Sequence, residues 1–184
     1  HVNYKLRGAD SDLDESLVSE TAKILRVNLY TAIKPIKPDA SGIQEKARNL
    51  RYAWFEELVS EHQYDAVLTA HHADDQLETL FMRLSRGSGV EGLSGIRTKN
   101  DFLIRPLLPF FKEELVVYAK TNTLKWREDV SNNSTKYLRN NIRHNVMPSF
   151  LALSSQTAAN TLESVQHLQE TFDAISAQVN EIKK

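Results

Sequence analysis

The sequence contains no cysteine among its 184 residues, which excludes a disulfide framework, a thiolate zinc site and a cysteine nucleophile. It also lacks an excess of one charge, since 23 Lys and Arg stand against 24 Asp and Glu for a net charge of -1. Dedicated nucleic-acid modules are usually basic overall, so any RNA contact here would have to use a local patch. No apolar run is long enough to span a bilayer and no secretory signal is present, so no membrane association is expected and a cytoplasmic location is. Glycine is scarce, six in all, and four of the six fall between Gly87 and Gly95. What is present, 41% hydrophobic and 26% charged residues, is the composition of a globular domain with a real core. The first residue is His1 rather than Met, and HVNYKLRG alternates apolar and polar residues as the end of a strand does. A domain rarely starts in mid-strand, so the chain is expected to be a fragment.

Strand-like and helix-like segments alternate. The N-cap types Asp10-Ser11-Asp12 precede an amphipathic helix carrying Leu13, Leu17, Val18, Ala22 and Leu25. VNLYTAI, residues 27–33, reads as a strand, and the prolines at 35 and 38 break regular structure after it. A second helix is expected from about 41 to 62, with Trp54 and Phe55 in the core rather than stacking on bases. AVLTA, residues 66–70, suits a buried parallel strand, and a third helix begins near Asp74. FLIRP reads as a strand, followed by a short helix over 112–120. The pattern predicts an α/β fold with a parallel sheet over residues 1–125. A helical extension follows over 126–184, in which Val165, Leu168, Phe172, Ile175, Val179 and Ile182 form the stripe of a connector helix.

The chemistry concentrates between His71 and Ile96, in HHADDQLETLFMRLSRGSGVEGLSGI. A strand ends on His71-His72 and a helix follows, and ligands of open α/β sheets bind at such strand ends. On that helix Asp75, Glu78, Met82 and Arg86 are spaced three or four apart, which predicts one exposed stripe with two carboxylates able to grip an ammonium or magnesium ion. Such carboxylates can also help an amine of pKa roughly 10.4 lose its proton before it attacks. Acidic residues in a first helical turn also simply favour the helix dipole, and for Asp74 alone the two readings weigh equally. The glycines that follow permit close approach to a ligand, although a glycine-rich loop by itself is a weak signal.

HHADDQLET followed by RGSGVEGLSGI resembles the central motif of the tRNA(Ile)-lysidine synthetases, which are PP-loop ATP pyrophosphatases. HVNYKLRG, ARNLRYAWF from Ala47, IRPLLPF from Ile104 and REDVSNNSTKYLRNNIRHNVMP from Arg127 resemble further family blocks in the same order, over about residues 1–150. The resemblance implies a Rossmann-like PP-loop domain that uses ATP and Mg2+ to adenylate the C2 oxygen of the wobble cytidine in a tRNA(Ile) with a CAU anticodon. Free L-lysine then attacks C2 through its side-chain amine and AMP leaves. The resemblance implies that Asp75 and Glu78 hold lysine, with Arg86 and Gly87 also on the substrate side. It makes Arg51, Arg139 and Arg143 candidates for phosphate contact, and His71 a candidate to orient a phosphate or the base. For the arginines the alternative is surface pairing with Glu128 and Asp129, weighed most heavily for Arg139. The family's SGGxDS loop, expected before HVNYKLRG, does not occur in these residues. The chain alone is therefore expected to bind ATP poorly and not to turn over. Oligomeric state is left open, a homodimer included.

Two other readings compete. His71, His72, Asp74 and Asp75 are potential ligands of a metal-dependent phosphohydrolase. Alternatively, Arg83, Arg86, Arg97, Lys99 and Arg105 line a basic strip around the glycine loop, as a noncatalytic RNA-binding fragment would.

Overall fold

The computed structural model describes residues 1–37, 42–129 and 137–183. The chain divides into two compact units, residues 1–67 with 123–128, and residues 68–122 with 129–183. This division differs from the one expected near residue 125, because the helices after residue 137 share a core with the acidic helix rather than standing apart from it.

In the first unit, β1 (Val2–Asn3) and β2 (Ala32–Ile33) pair in parallel across the helix α1 (Ala9–Leu25), which makes a βαβ turn of the chain. α1 stops at Arg26, which takes a left-handed conformation without being glycine (φ 55°) and donates its N–H to the Ala22 and Lys23 carbonyls. Only two of the seven residues in VNLYTAI form strand. The helix α2 (Ile43–His62) buries Trp54, while Phe55 is half-buried. Buried Asn3 gives its amide to Asp12 (3.1 Å) and Glu15 (2.7 Å), tying the end of β1 to α1. Arg127 pairs with Asp10 (3.1 Å) and Asp14 (2.8 Å), which brings the segment 123–128 onto the same helix.

The second unit, which begins within β3, holds a sheet of strand order β3-β5-β4, from β3 (Val67–Leu68), β4 (Lys99–Asn100) and β5 (Leu103–Ile104). β4 and β5 form an antiparallel hairpin, and Thr69 donates its N–H to the Ile104 carbonyl (2.9 Å). Its helices are α3 (Ala73–Leu84), α4 (Val90–Leu93), α5 (Lys112–Thr121), α6 (Leu138–Asn141), α7 (Met147–Leu151) and α8 (Thr157–Ile182). Between α6 and α7 the chain makes a π-helical turn, Ile142–Val146. Pro148 explains it, since a proline has no N–H for the carbonyl four residues back and its ring crowds that carbonyl. The core is Leu77, Ile142 and Met147, closed by residues that include Phe81 and Phe150, whose rings meet edge to face at 4.8 Å. The apolar stripe of α8 is buried only in part. Val165 is 1% exposed and Leu168 and Phe172 are half-buried, but Ile175, Val179 and Ile182 face outward. No helix among the described residues is long and apolar enough to cross a membrane.

Candidate active site

The site is built on the first two turns of α3. His72 precedes the helix in extended conformation, and its N–H donates to Asp75 Oδ2 at 2.9 Å, one half of a capping box. Asp75 is thereby fixed, and Glu78 follows on the same face three residues later. The expectation of an exposed acidic stripe needs correction. Glu78 is 1% exposed, and its carboxylate is covered by two guanidinium groups from α6 and the π-turn. Arg139 gives Nε to Glu78 Oε2 (2.6 Å) and Nη2 to Asp75 Oδ1 (2.6 Å). Arg143 gives Nε to Glu78 Oε1 (2.6 Å) and Nη2 to Oε2 (3.1 Å), and this carboxylate raises the arginine's pKa further. The spacing of four expected to align Arg139 and Arg143 does so, across a helix that changes from α to π between them. Their partners here are Asp75 and Glu78, not a surface pair.

On the other side of Asp75 stands His72. Its Nδ1 is 3.3 Å from Asp74 Oδ2 and its Nε2 is 3.6 Å from Asp75 Oδ2. The buried Nδ1 lacks the geometry of a full hydrogen bond, so the contact is electrostatic and becomes an ion pair when the imidazole is protonated. The carboxylate of Asp74 holds the imidazole above its ordinary 6.5, against partial burial, with Asp75 and Glu78 adding to the effect. Asp74 is held below its ordinary 3.8, first by His72 and then, against its own burial, by the N–H of Lys112 at 2.8 Å. Asp74 therefore anchors the start of α5 as well as facing the histidine. Sequence reasoning had singled out His72 only as a metal ligand. Three carboxylates, Asp74, Asp75 and Glu78, meet two guanidinium groups and one imidazole, so the cluster carries one net negative charge whenever His72 is neutral.

The other predicted residues fall as follows. His71 turns its Nδ1 to the Thr69 hydroxyl at 3.0 Å. Arg86 and Gly87 lie exposed just past the end of α3, where Gly87 has φ +69°. Arg51 belongs to the first unit, on α2, with its guanidinium 5.9 Å from the Tyr52 ring. A groove of about 620 Å³ runs along the same helix, lined by residues such as Lys46 and Asn49, and none of the predicted site residues lines it. Among the described residues no group of three His, Asp or Glu is arranged to hold a metal ion, because Asp75 and Glu78 are already turned to the arginines. The basic strip is interrupted as well. Arg105 is 5% exposed and donates to the Arg97 carbonyl (2.6 Å), and Arg97 itself pairs with Asp173 (2.6 Å).

A contribution the sequence did not announce comes from Gln76. Its amide spans the backbone of Ile96, accepting the N–H at 2.5 Å and donating to the carbonyl at 3.0 Å. Gly95 has φ +67°, and a side chain there would collide with the Gln76 amide. The only hint was the glycine itself.

Residues 1–150 match the family model described as the PP-loop domain. The chain is 38% identical over 174 residues to a tRNA(Ile)-lysidine synthase of Chlorobaculum tepidum, covering 92% of this chain and 52% of that protein. It is 39% identical to that of Parabacteroides distasonis (91% and 39% covered) and 40% identical to that of Bacillus subtilis (80% and 33%). The chain thus spans about half, or less, of the curated relatives it matches. Among solved structures it is similar to a U34-tRNA thiolase, NcsA from Methanococcus maripaludis with its 4Fe-4S cluster. The TM-score is 0.73 at 14% identity, over 92% of this chain and 60% of that one, a likeness of fold alone.

Proposed function

Because the chain belongs to the PP-loop domain family, whose members use ATP, we propose that it is the catalytic portion of a tRNA-modifying ligase that joins lysine to the wobble cytidine of a tRNA(Ile). The observation that carries this reading is the charge balance at the strand end. With His72 neutral, three carboxylates against two arginines leave room for one cation, and a lysine side-chain ammonium is such a cation.

In this mechanism the cytidine C2 oxygen attacks the α-phosphorus of ATP and pyrophosphate leaves. The lysine amine, having given up a proton, then adds at C2, and AMP departs with the oxygen. Asp75 receives the ammonium, with the neighbouring imidazole of His72 as the group able to take its proton. Glu78 reaches lysine only if an arginine releases it, so its first task is to hold Arg139 and Arg143 in place. Those arginines are the proposed phosphate contacts of the second unit and Arg51 on α2 is, separately, that of the first, and His71, Arg86 and Gly87 border the substrate. The carboxylates among the described residues do not fit a resident magnesium ion, so in this proposal Mg2+ arrives bound to the triphosphate, as part of the substrate. The partners are then L-lysine and a tRNA(Ile) with a CAU anticodon, in the cytoplasm.

The test is incorporation of labelled lysine into that tRNA by the protein carrying this domain, with and without ATP. ATP-dependent incorporation is expected, and its absence with competent tRNA refutes the proposal.

A further inference from the structure

The glycine-rich segment ends in a stretch whose carbonyl groups are held one after another by side chains from three different elements. Gln169, on α8, donates its amide to the Ser94 carbonyl (2.6 Å) and to the Ile96 carbonyl (3.2 Å). Gln76, on α3, donates to the same Ile96 carbonyl, and Arg105, just after β5, donates to that of Arg97. Ser94 between them is 3% exposed, and its hydroxyl reaches the Val90 carbonyl (2.8 Å) and the Leu168 carbonyl of α8 (3.4 Å). Gln76 and Arg105 are each 5% exposed and Gln169 is half-buried, so these contacts are at least partly shielded from water.

Buried backbone carbonyls need donors, and a loop with four glycines cannot supply rigidity from its own sequence. The rigidity is imported. Gln76 sits on α3 between Asp75 and Glu78, so the loop is tied to the helix that carries the carboxylates. α8 lies beyond residues 1–150, the part that matches the PP-loop domain. From this we infer that α8 is a working part of the site: Gln169 is a positioning residue that fixes the glycine-rich segment against α3 for the reaction. The inference rests on the proposed function in taking that segment as the border of the substrate site.

The test replaces Gln169 by Met, which keeps the length and helix propensity but removes the donor, and by Lys, which restores one. Hydrogen exchange of peptides covering residues 86–98 is expected to speed up about tenfold in Gln169→Met, about the worth of one lost hydrogen bond. Exchange in α1, in the other compact unit, serves as the control and stays unchanged. In lysine incorporation, kcat is expected to fall about tenfold with KM for lysine unchanged, because a misplaced loop costs orientation rather than ammonium binding. Gln169→Lys recovers most of both losses. Unchanged exchange overturns the inference, as does faster exchange with unchanged kcat, or a Lys variant no better than Met. If the unsubstituted protein carrying this domain incorporates no lysine, the proposed function falls, while the exchange arm still decides whether Gln169 holds the segment.

Discussion

Replacing Glu78 by Gln tests the architecture most directly. The carboxylate is 2% exposed and accepts three charged hydrogen bonds, at 2.6, 2.6 and 3.1 Å, from Arg139 and Arg143. A glutamine retains one acceptor oxygen and loses the negative charge, so in either orientation its NH2 group replaces an acceptor, breaks at least one of the three bonds and sets a donor against a guanidinium N–H. Breaking a buried ion pair from one side costs about 3–5 kcal/mol. Here the arginine side chains are 31% and 30% exposed, and water offsets part of the loss. The lower end, about 3 kcal/mol, is therefore expected for Glu78→Gln. In a chain of this length each kcal/mol moves Tm by roughly 2–4 °C, so the shift should be about 6–12 °C. Far-UV circular dichroism is the appropriate probe, since both tryptophans, Trp54 and Trp126, belong to the other compact unit. Pairing the substitution with Arg143→Met in a double-mutant cycle should show coupling, the double variant losing less than the sum of the singles. A shift below about 2 °C, or strict additivity, would show that Glu78 does not hold the arginines.

Other perturbations have definite signs. Gly95→Ala should destabilise by at least about 1–2 kcal/mol, the cost of a left-handed conformation, with the collision at Gln76 added. Gly89→Ala, in open space and ordinary backbone, should change Tm far less, and equal effects in a thermal melt would sink that contrast. For pH, His72 has a raised pKa in the folded state, so its contribution is complete below 6.5 and is lost as pH rises through the folded value. Asp74 has a lowered one, so its contribution is complete above 3.8 and is lost as pH falls through the folded value. The pair should support the fold fully between pH 3.8 and 6.5, and urea midpoints measured from pH 6 upward should decline less steeply in His72→Gln than in the parent. Asp75→Asn should abolish lysine incorporation while keeping the circular dichroism spectrum, and full activity would remove Asp75 from the mechanism.

The elements governed by local patterning were readable from the sequence, and those governed by distant partners were not. α2 and α3 start within about a residue or two of where their apolar spacing and acidic first turns put them. Trp54 is buried as its place in the helix implied. The strands shrank, because β propensity in VNLYTAI marks residues able to pair, whereas pairing needs a neighbour in register, which only Ala32 and Ile33 have. The spacing of Asp75 and Glu78 was visible, but the burial of Glu78 depends on guanidinium groups more than sixty residues away. The π-turn had a readable cause in Pro148, yet its consequence depends on where the helix packs. Gln169 had no signature at all and Gln76 only the indirect one of Gly95, since an amide bound to backbone leaves no periodic trace.

The ion pairs of Arg139 and Arg143 do not compete with their proposed contact to phosphate. A guanidinium carries five N–H donors in a fixed fork. Among the described residues, both arginines spend Nε and Nη2 on Glu78 and Asp75. Each therefore keeps the donors of Nη1, and about 30% of each side chain remains open. Glu78, clamped from both sides, acts on the arginines as an orienting group: it holds their Nε edges inward. An arginine so fixed loses less freedom on meeting an anion than one swinging in solvent, which is the advantage of preorganised charge. On the proposed function the acidic helix would serve two opposite charges. Glu78 would station cations for phosphate, and Asp75, shared between Arg139 and His72, would be where a third cation is exchanged. Removing Glu78 should then weaken ATP use before it weakens lysine binding. Neutralising Asp75 should do the reverse, so the dissociation constants for ATP and for lysine, measured by equilibrium binding to the same two variants of the protein carrying this domain, separate the roles.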